Sequence, residues 1–232
     1  MEYRNVYKAT FVARLNRFVA DVLLEGEKIS VHVKNTGRCK ELLQPGSLVY
    51  LSDSENNARR YRYDLIAVEK KTERGVILVN MDSQAPNLAV KEWLPSSGLF
   101  STKARIRPET FFGNSRFDFY VEDGNRRAFI EVKGVTLEKD GIARFPDAPT
   151  LRGVKHLEEL ISAKKEGFQA YVLFLIQMKG VHSFEPNTAT DPNFEKALRN
   201  ARREGVGILC YDSLVTPSSL IPDHPVPVSL GQ

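Results

Sequence analysis

Between Thr10 and Asn80 no stretch keeps an apolar stripe at helical spacing for long. The chain breaks instead into FVARL, FVADVLLE, KISVHVK, SLVYLSD, RYDLIAVEKK and GVILVN. The breaks are Glu25-Gly26-Glu27, Pro45-Gly46-Ser47, a polar run from Asp53 to Arg60, and Glu73-Arg74-Gly75. Short apolar runs of this kind, punctuated by turn formers, read as strands. An open sheet of such strands would leave edges ready to pair with other chains, so a small closed barrel of OB type is expected.

After Asn80 the period changes. Gln84 to Leu94 reads as a helix ended by Pro95, Ser96 and Gly98, and Trp93 on it is expected to pack in the core. We therefore divide the chain at residue 82, into a barrel over 1–82 and a second domain over 83–232. In the second domain β and α signals alternate, which predicts a mixed sheet with covering helices, an α+β or α/β arrangement. FDFYV and AFIEV flank Asp123-Gly124-Asn125, a hairpin signal, so these strands are expected to be antiparallel neighbours. Thr150 to Gly167 carries the apolar stripe Leu151, Val154, Leu157, Leu160 and Ile161 of a helix. YVLFLIQM reads as a buried central strand, Phe194 to Glu204 as a short basic helix, GILCYDSLV as a further strand, and the tail from Pro222 as a surface strap.

Composition narrows the class of protein. With 42% hydrophobic and 27% charged residues the chain is an ordinary globular one, and no segment is apolar enough for long enough to cross a bilayer. A net charge of +4 leans towards polyanionic partners. Cys39 and Cys210 lie far apart and outside any zinc spacing, which suits a reduced, cytoplasmic chain.

The chemistry concentrates in ETFFGNSRFDFYVEDGNRRAFIEVK, from Glu109 to Lys133. Asp118 sits between Phe117 and Phe119, and Glu131 between Ile130 and Val132, so both acids are expected on one face, opposite these apolar neighbours. Lys133 has the parity of Glu131. Such a set can hold Mg²⁺ or Mn²⁺ with water and a phosphate oxygen, the ammonium orienting the attacking water. Acid-x-Lys is also a common salt-bridged strand end. In the first part, Asn35-Thr36-Gly37 beside Lys34, Arg38 and Lys40 suits a phosphate or a plain polar turn. Arg59, Arg60, Arg62, Lys70, Lys71 and Arg74 interleave with Tyr61 and Tyr63, which suits either a solvated hairpin or a nucleic-acid face.

NRFVADV, NTG with its following basic residue, GNSRFDF, IEVKGVTL, FPDAPTLRGVKHLEEL and FEPN occur in this order. Together they resemble the SfsA, or sugar fermentation stimulation, family over nearly the whole chain. The resemblance implies an OB-like barrel followed by a domain similar to PD-(D/E)XK nucleases, and binding to DNA, expected to be double-stranded. It implies that Asp118, Glu131 and Lys133 are catalytic, with Glu109 a further metal ligand beside Asp118 and Glu131. The residues expected to face DNA are Arg14, Arg17, Lys34, Arg38, Arg60, Arg62, Arg116, Arg152, Lys155 and His156. The last three share one helix face by their spacing.

The chain departs from the family at His32-Val33-Lys34, where members often have His-Cys-Pro, and at Met178-Lys179, where Arg-Pro is usual. Two other readings stay open: a regulatory DNA-binding protein that does not cut, and a single-strand or RNA-binding module using Tyr61 and Tyr63. Cleavage of both strands of a duplex often needs two sites, which makes a homodimer a further expectation.

Overall fold

The computed structural model describes residues 1–35, 37, 39–56, 58–73 and 75–230. Thr36, Arg38 and Arg74, named above as phosphate or nucleic-acid candidates, lie outside the described residues.

The expected turns divide the first part into β1 (Val6–Arg14), β2 (Val19–Leu24), β3 (Glu27–Val33), β4 (Leu48–Asp53), β5 (Tyr63–Thr72) and β6 (Gly75–Asn80). The order is β3-β2-β1-β4-β5-β6, and a parallel pairing of β3 with β5, through His32–Asp64 and Val33–Leu65, closes the first five strands into an OB-like barrel. Alternation puts Phe11, Val22, Val31, Val33, Val49, Leu51, Leu65 and Val68 inside it. Between β3 and β4 the chain turns at Cys39, whose carbonyl accepts from the amides of Leu42 and Leu43, and all three side chains are buried.

The second part begins with α1 (Ala85–Trp93) and continues through β7 (Arg105–Phe112), β8 (Ser115–Asp123), β9 (Arg126–Val135), β10 (Leu137–Lys139), β11 (Ile142–Phe145), α2 (Leu151–Lys165), β12 (Gln169–Ile176), β13 (Ser183–Pro186), α3 (Pro192–Arg203), β14 (Gly207–Thr216) and β15 (Ser219–Pro225). Its main sheet has the order β15-β14-β12-β9-β8-β7 and is mixed: β12 runs parallel to β9 and β14, while the other pairs are antiparallel. The β8–β9 hairpin turns through Gly124-Asn125, with Gly124 at φ 61°, a conformation open to glycine. A second sheet of β10, β11 and β13 stands beside the barrel, where Lys70 of β5 pairs with Glu138 of β10.

Strand alternation gives the main sheet two apolar faces. Phe129, Val172, Phe174 and Ile176 pack with α2 and α3, and Phe119, Ile130, Leu173 and Leu175 pack with α1. Trp93 of α1 sits edge-on to Tyr211, their ring centroids 4.8 Å apart. Thr150 caps α2 by accepting from the Gly153 amide, and Asp191 caps α3 by accepting from the Phe194 amide. The tail is not a loose strap. Ser219–Pro225 is an edge strand on β14, where prolines cost no ladder bond. No helix among the described residues is long and apolar enough to cross a membrane.

A buried polar knot joins the two parts. Gln177, just past β12, donates from Nε2 to the Asn80 carbonyl (3.1 Å), to Asn80 Oδ1 (2.9 Å) and to the Asp82 carbonyl (3.1 Å), and its own carbonyl accepts from the Asn80 amide. Asp82 in turn accepts from Tyr3 Oη and from Lys34 Nζ. Burial of the Tyr3 hydroxyl, with the charge of Asp82, pushes it well above its usual range. Replacing Gln177 by leucine strips a donor from three buried acceptors. The Gln177→Leu variant should lose about 2–4 kcal/mol of unfolding free energy in chemical denaturation, more than an exposed substitution such as Gln84→Leu.

Candidate functional site

Asp118 and Glu131 stand opposed where β8 and β9 begin to separate. The ladder between these strands ends at Phe119–Ile130, one position short of the two acids. Beyond that point the alternation of β8 shifts phase. Phe117 joins the α2-side core, with ring centroids 5.4 Å from Phe129 and 6.1 Å from His156, while Phe119 stays on the α1 side. Asp118 turns correspondingly towards α1, where Asn87 Nδ2 donates to its Oδ1 at 2.6 Å. Its Oδ2 accepts from the Val132 amide at 2.7 Å, closing the gap left by the unzipped ladder. The two acids therefore do not share a face, contrary to simple strand alternation. They reach one strand end from opposite sides of the sheet.

Glu131 is only 3% exposed. Its Oε1 accepts from Lys133 Nζ at 2.6 Å and from His156 Nδ1. Arg152 Nε donates to His156 Nε2 at 3.3 Å, so the neutral tautomer with its proton on Nδ1 satisfies both contacts. The other carboxylate oxygen, Glu131 Oε2, is buried and has no hydrogen-bond partner among the described residues. Burial would raise the Glu131 carboxyl, but the His156 hydrogen bond and the Lys133 charge hold it below the usual carboxylate range. Asp118 goes the other way. Burial, with the neighbouring Glu131 charge, pushes its carboxyl up to about 6, against the opposing pull of the Val132 amide, Lys133 and Asn87.

An ionised Glu131 with a spare buried oxygen, beside an Asp118 that its charge disfavours, is a donor set short of positive charge. Two hard oxygen ligands of this kind fit a divalent cation such as Mg²⁺ or Mn²⁺. Glu109 does not join them. In the β7–β8 register it stands opposite Asp118, between the pairs Pro108–Phe119 and Thr110–Phe117, but a φ of 55° takes it out of the ladder. Its carboxylate pairs with Arg116 Nε at 2.8 Å on the exposed surface.

The sugar fermentation stimulation protein RE domain matches residues 84–219, and the SfsA N-terminal OB domain matches residues 12–79. The chain belongs to the SfsA family. It is 50% identical over 220 residues to a sugar fermentation stimulation protein homolog of Desulfitobacterium hafniense, covering 95% of this chain and 94% of that protein. A homolog of the same description from Clostridium beijerinckii is 50% identical over 220 residues, 95% of this chain and 96% of the relative. Among solved structures, Pyrococcus furiosus SfsA, described as in complex with Ca²⁺, superposes with a TM-score of 0.86 at 26% identity, covering 99% of this chain and 98% of that one.

In this SfsA chain the basic residues expected to face DNA divide into committed and projecting ones. Arg14 is committed: its guanidinium donates to the carbonyls of Asn16, Arg17, Asn35 and Gly37. Lys34 is spent on buried Asp82 at 2.6 Å, and Arg62 on Asp53 at 2.6 Å. His156 is buried, because positions 153, 156, 157, 160 and 161 form the core face of α2, and spacing to Arg152 alone does not bring it to the surface. Lys155 Nζ donates to the Asn114 carbonyl at 3.0 Å. Arg116 is exposed but paired with Glu109, whereas Arg17, Arg60 and Arg152 are exposed without a carboxylate partner among the described residues, Arg60 lying over Tyr61 at 5.3 Å. Tyr63 packs edge-on against Tyr7, centroids 5.6 Å apart, and Arg62 lies over it.

Sequence reasoning missed two contributors. Asn87, which holds Asp118, lies on a helix read only as packing. Lys179, in place of the family's Arg-Pro, anchors a separate group: its Nζ lies 2.8 Å from both Asp212 oxygens and also bonds Asp223, beside His224. Among the described residues, Asp212, Asp223 and His224 form a three-ligand cluster of metal-binding spacing, but the Lys179 ammonium already balances its acids.

The Asp118 shift has a definite sign in the metal-free protein. Its folded-state pKa lies above the ordinary one, so the contribution to stability is complete below about pH 4 and is lost as pH rises through about 6. Carboxyl-carbon NMR should show Asp118 titrating near 6, and Glu131→Gln should move that midpoint down while leaving it above the ordinary value, since burial persists.

Proposed function

We propose that this chain is a DNA-binding protein of the SfsA family with a divalent-metal-dependent site for phosphodiester cleavage. The observation that carries the reading is the unpartnered, buried Oε2 of Glu131 beside the charge-disfavoured Asp118. A divalent cation held by Glu131 and Asp118 would give the first a partner and offset the charge that disfavours ionisation of the second. The description of the Pyrococcus furiosus relative as a Ca²⁺ complex supports it, because Ca²⁺ also prefers oxygen ligands. When bound, Mg²⁺ or Mn²⁺ would supply Lewis-acid stabilisation of charge on a phosphate oxygen.

The remaining steps belong to the chain's own groups. His156 and Lys133 hold Oε1 of Glu131, which leaves Oε2 for the ligand role. Asn87 and the Val132 amide fix the Asp118 carboxylate. The Lys133 ammonium, half-buried next to Glu131, is suited to orient a water for attack or to neutralise charge developing on phosphorus oxygens. Arg152, exposed and bonded to the His156 ring that holds Glu131, is suited to a backbone phosphate. The free, buried thiols of Cys39 and Cys210 support a cytoplasmic setting.

A non-cutting, regulatory DNA-binding protein is the second reading. It is favoured by the turn of Glu109 away to Arg116, which leaves two acids rather than three. Incubation with linear, circular and single-stranded DNA in Mg²⁺, Mn²⁺ or EDTA separates the two. We expect cleavage of duplex in either metal, none in EDTA, and a loss of at least about 100-fold in Asp118→Ala and in Lys133→Ala. Duplex binding without cleavage, unaltered in both variants, would establish the regulatory reading instead. Activity should also fall below about pH 6 as Asp118 holds its proton against the metal.

A further inference from the structure

The tip of the β1–β2 hairpin, Leu15 to Phe18, presents two large apolar side chains to solvent on a tightly held frame. Leu15 is 56% and Phe18 50% exposed. Several backbone groups beneath them are hydrogen-bonded. The Leu15 and Asn16 amides donate to the Val19 carbonyl, the Phe18 amide to Asn16 Oδ1, and the Phe18 carbonyl accepts from Val33. Arg14 crosses under the tip and bonds the carbonyls of Asn16 and Arg17, then those of Asn35 and Gly37 in the neighbouring loop. A barrel that spends a whole guanidinium on fixing a solvent-facing tip is holding those side chains in position rather than hiding them.

A series of contacts carries this tip to the candidate site. A Cβ on Gly37 would fall onto the Asp147 carboxylate, so the loop held by Arg14 touches the segment leading into α2. Asn35 and Asp147 line a cavity of about 130 Å³ together with Gly134, the residue after Lys133. At the same end of α2, Leu151 is 87% exposed and Arg152 projects beside it. Arg17 is exposed on the tip itself, between Leu15 and Phe18, and Lys40 is exposed three residues after Gly37. Apolar groups rimmed by guanidinium and ammonium groups match the two surfaces of a nucleic acid, base faces and phosphates.

We propose that Leu15 and Phe18 form a wedge that stacks on an unpaired base of DNA bound at the Asp118–Glu131 site, and that the preferred substrate class is duplex with an open step: a frayed end, a fork or a flap. This rests on the DNA-binding reading above. An alanine at a stacking position costs roughly the free energy of one base–aromatic contact, about tenfold in affinity. Leu15→Ala and Phe18→Ala change exposed positions and leave the Arg14 bonds in place.

The test is fluorescence anisotropy and 2-aminopurine emission, in Ca²⁺, on a forked duplex and on a duplex of the same sequence with both ends closed by hairpins. The wild type should bind the fork about tenfold more tightly and quench a 2-aminopurine placed at the fork. The double variant Leu15→Ala/Phe18→Ala should lose both effects while keeping the closed-duplex affinity and the thermal unfolding midpoint. Equal affinity of the wild type for fork and closed duplex, or a preference unchanged in the double variant, would overturn the wedge while sparing the DNA reading. A double variant altered in sedimentation but not in DNA binding would overturn it in favour of a second copy of the chain on this surface. Failure of the wild type to bind either DNA would overturn the DNA reading itself, and the wedge with it.

Discussion

Everything at the candidate site depends on keeping an ionised carboxylate, Glu131, inside the sheet. An unpaired buried charge would cost several kcal/mol, and the group would take up a proton instead. Two donors on one oxygen prevent this: the Lys133 ammonium, from the same strand, and the His156 ring, from α2. Their arrangement is lopsided, since both serve Oε1 and neither serves Oε2. A purely structural ion pair would gain by sharing its donors between the two oxygens. The asymmetry leaves a strong buried acceptor on Glu131, and burial together with the Glu131 charge raises the carboxyl of Asp118.

The junction between barrel and sheet sets where that acceptor points. Gln177 follows directly on β12, the strand next to β9, and ties it to Asn80 and Asp82, which lead straight into α1. Gly134, on β9, has no room for a side chain, because a Cβ there would lie 2.5 Å from Gln177 Oε1 and 2.7 Å from Pro86 Cγ. The same close approach that excludes a side chain brings α1 near enough for Asn87 to reach Asp118. Packing of the two parts and orientation of the acid are one constraint, and the barrel is thus a structural partner of the site as well as a neighbour.

Much of this was legible in the sequence because it is local. Turn residues at Gly26, Pro45-Gly46 and Gly124-Asn125 punctuate the strands, and the hairpin register brings Asp118 opposite Glu131. What was not legible comes from tertiary packing. Phe117 leaves its alternation phase to complete the cluster of Phe112, Phe129 and Phe168, and Asp118 is carried to the other face with it. Glu109 leaves the ladder through a positive φ that no spacing rule foretells. His156 looks like a surface residue from its spacing to Arg152, yet it lies beside Leu157 and one turn before Leu160, on the buried face of α2. The edge strand β15 was hidden because its prolines suggested a strap, although an edge accepts them.

The basic residues carry the last lesson, about counting charge. A net charge of +4 suggests a surface ready for phosphate, but the chain uses many of its cations on itself. Arg14 serves carbonyls, Lys34 serves Asp82, Lys70 serves Glu138, Lys179 serves Asp212 and Asp223, and Arg59 serves Asp64. Each of these bonds fixes a loop or a strand end, so the cation supplies shape where a census would credit it with field. The exposed guanidinium groups of Arg17 and Arg152 lie instead at the hairpin tip and at the start of α2, the two elements joined through Gly37 and Asp147. Long-range attraction from so small an excess is weak and screened within about 10 Å at moderate salt. On the proposed DNA-binding reading, discrimination among polyanions would then come from contact, from rigid groups that fit base faces and phosphate oxygens, rather than from the overall positive field.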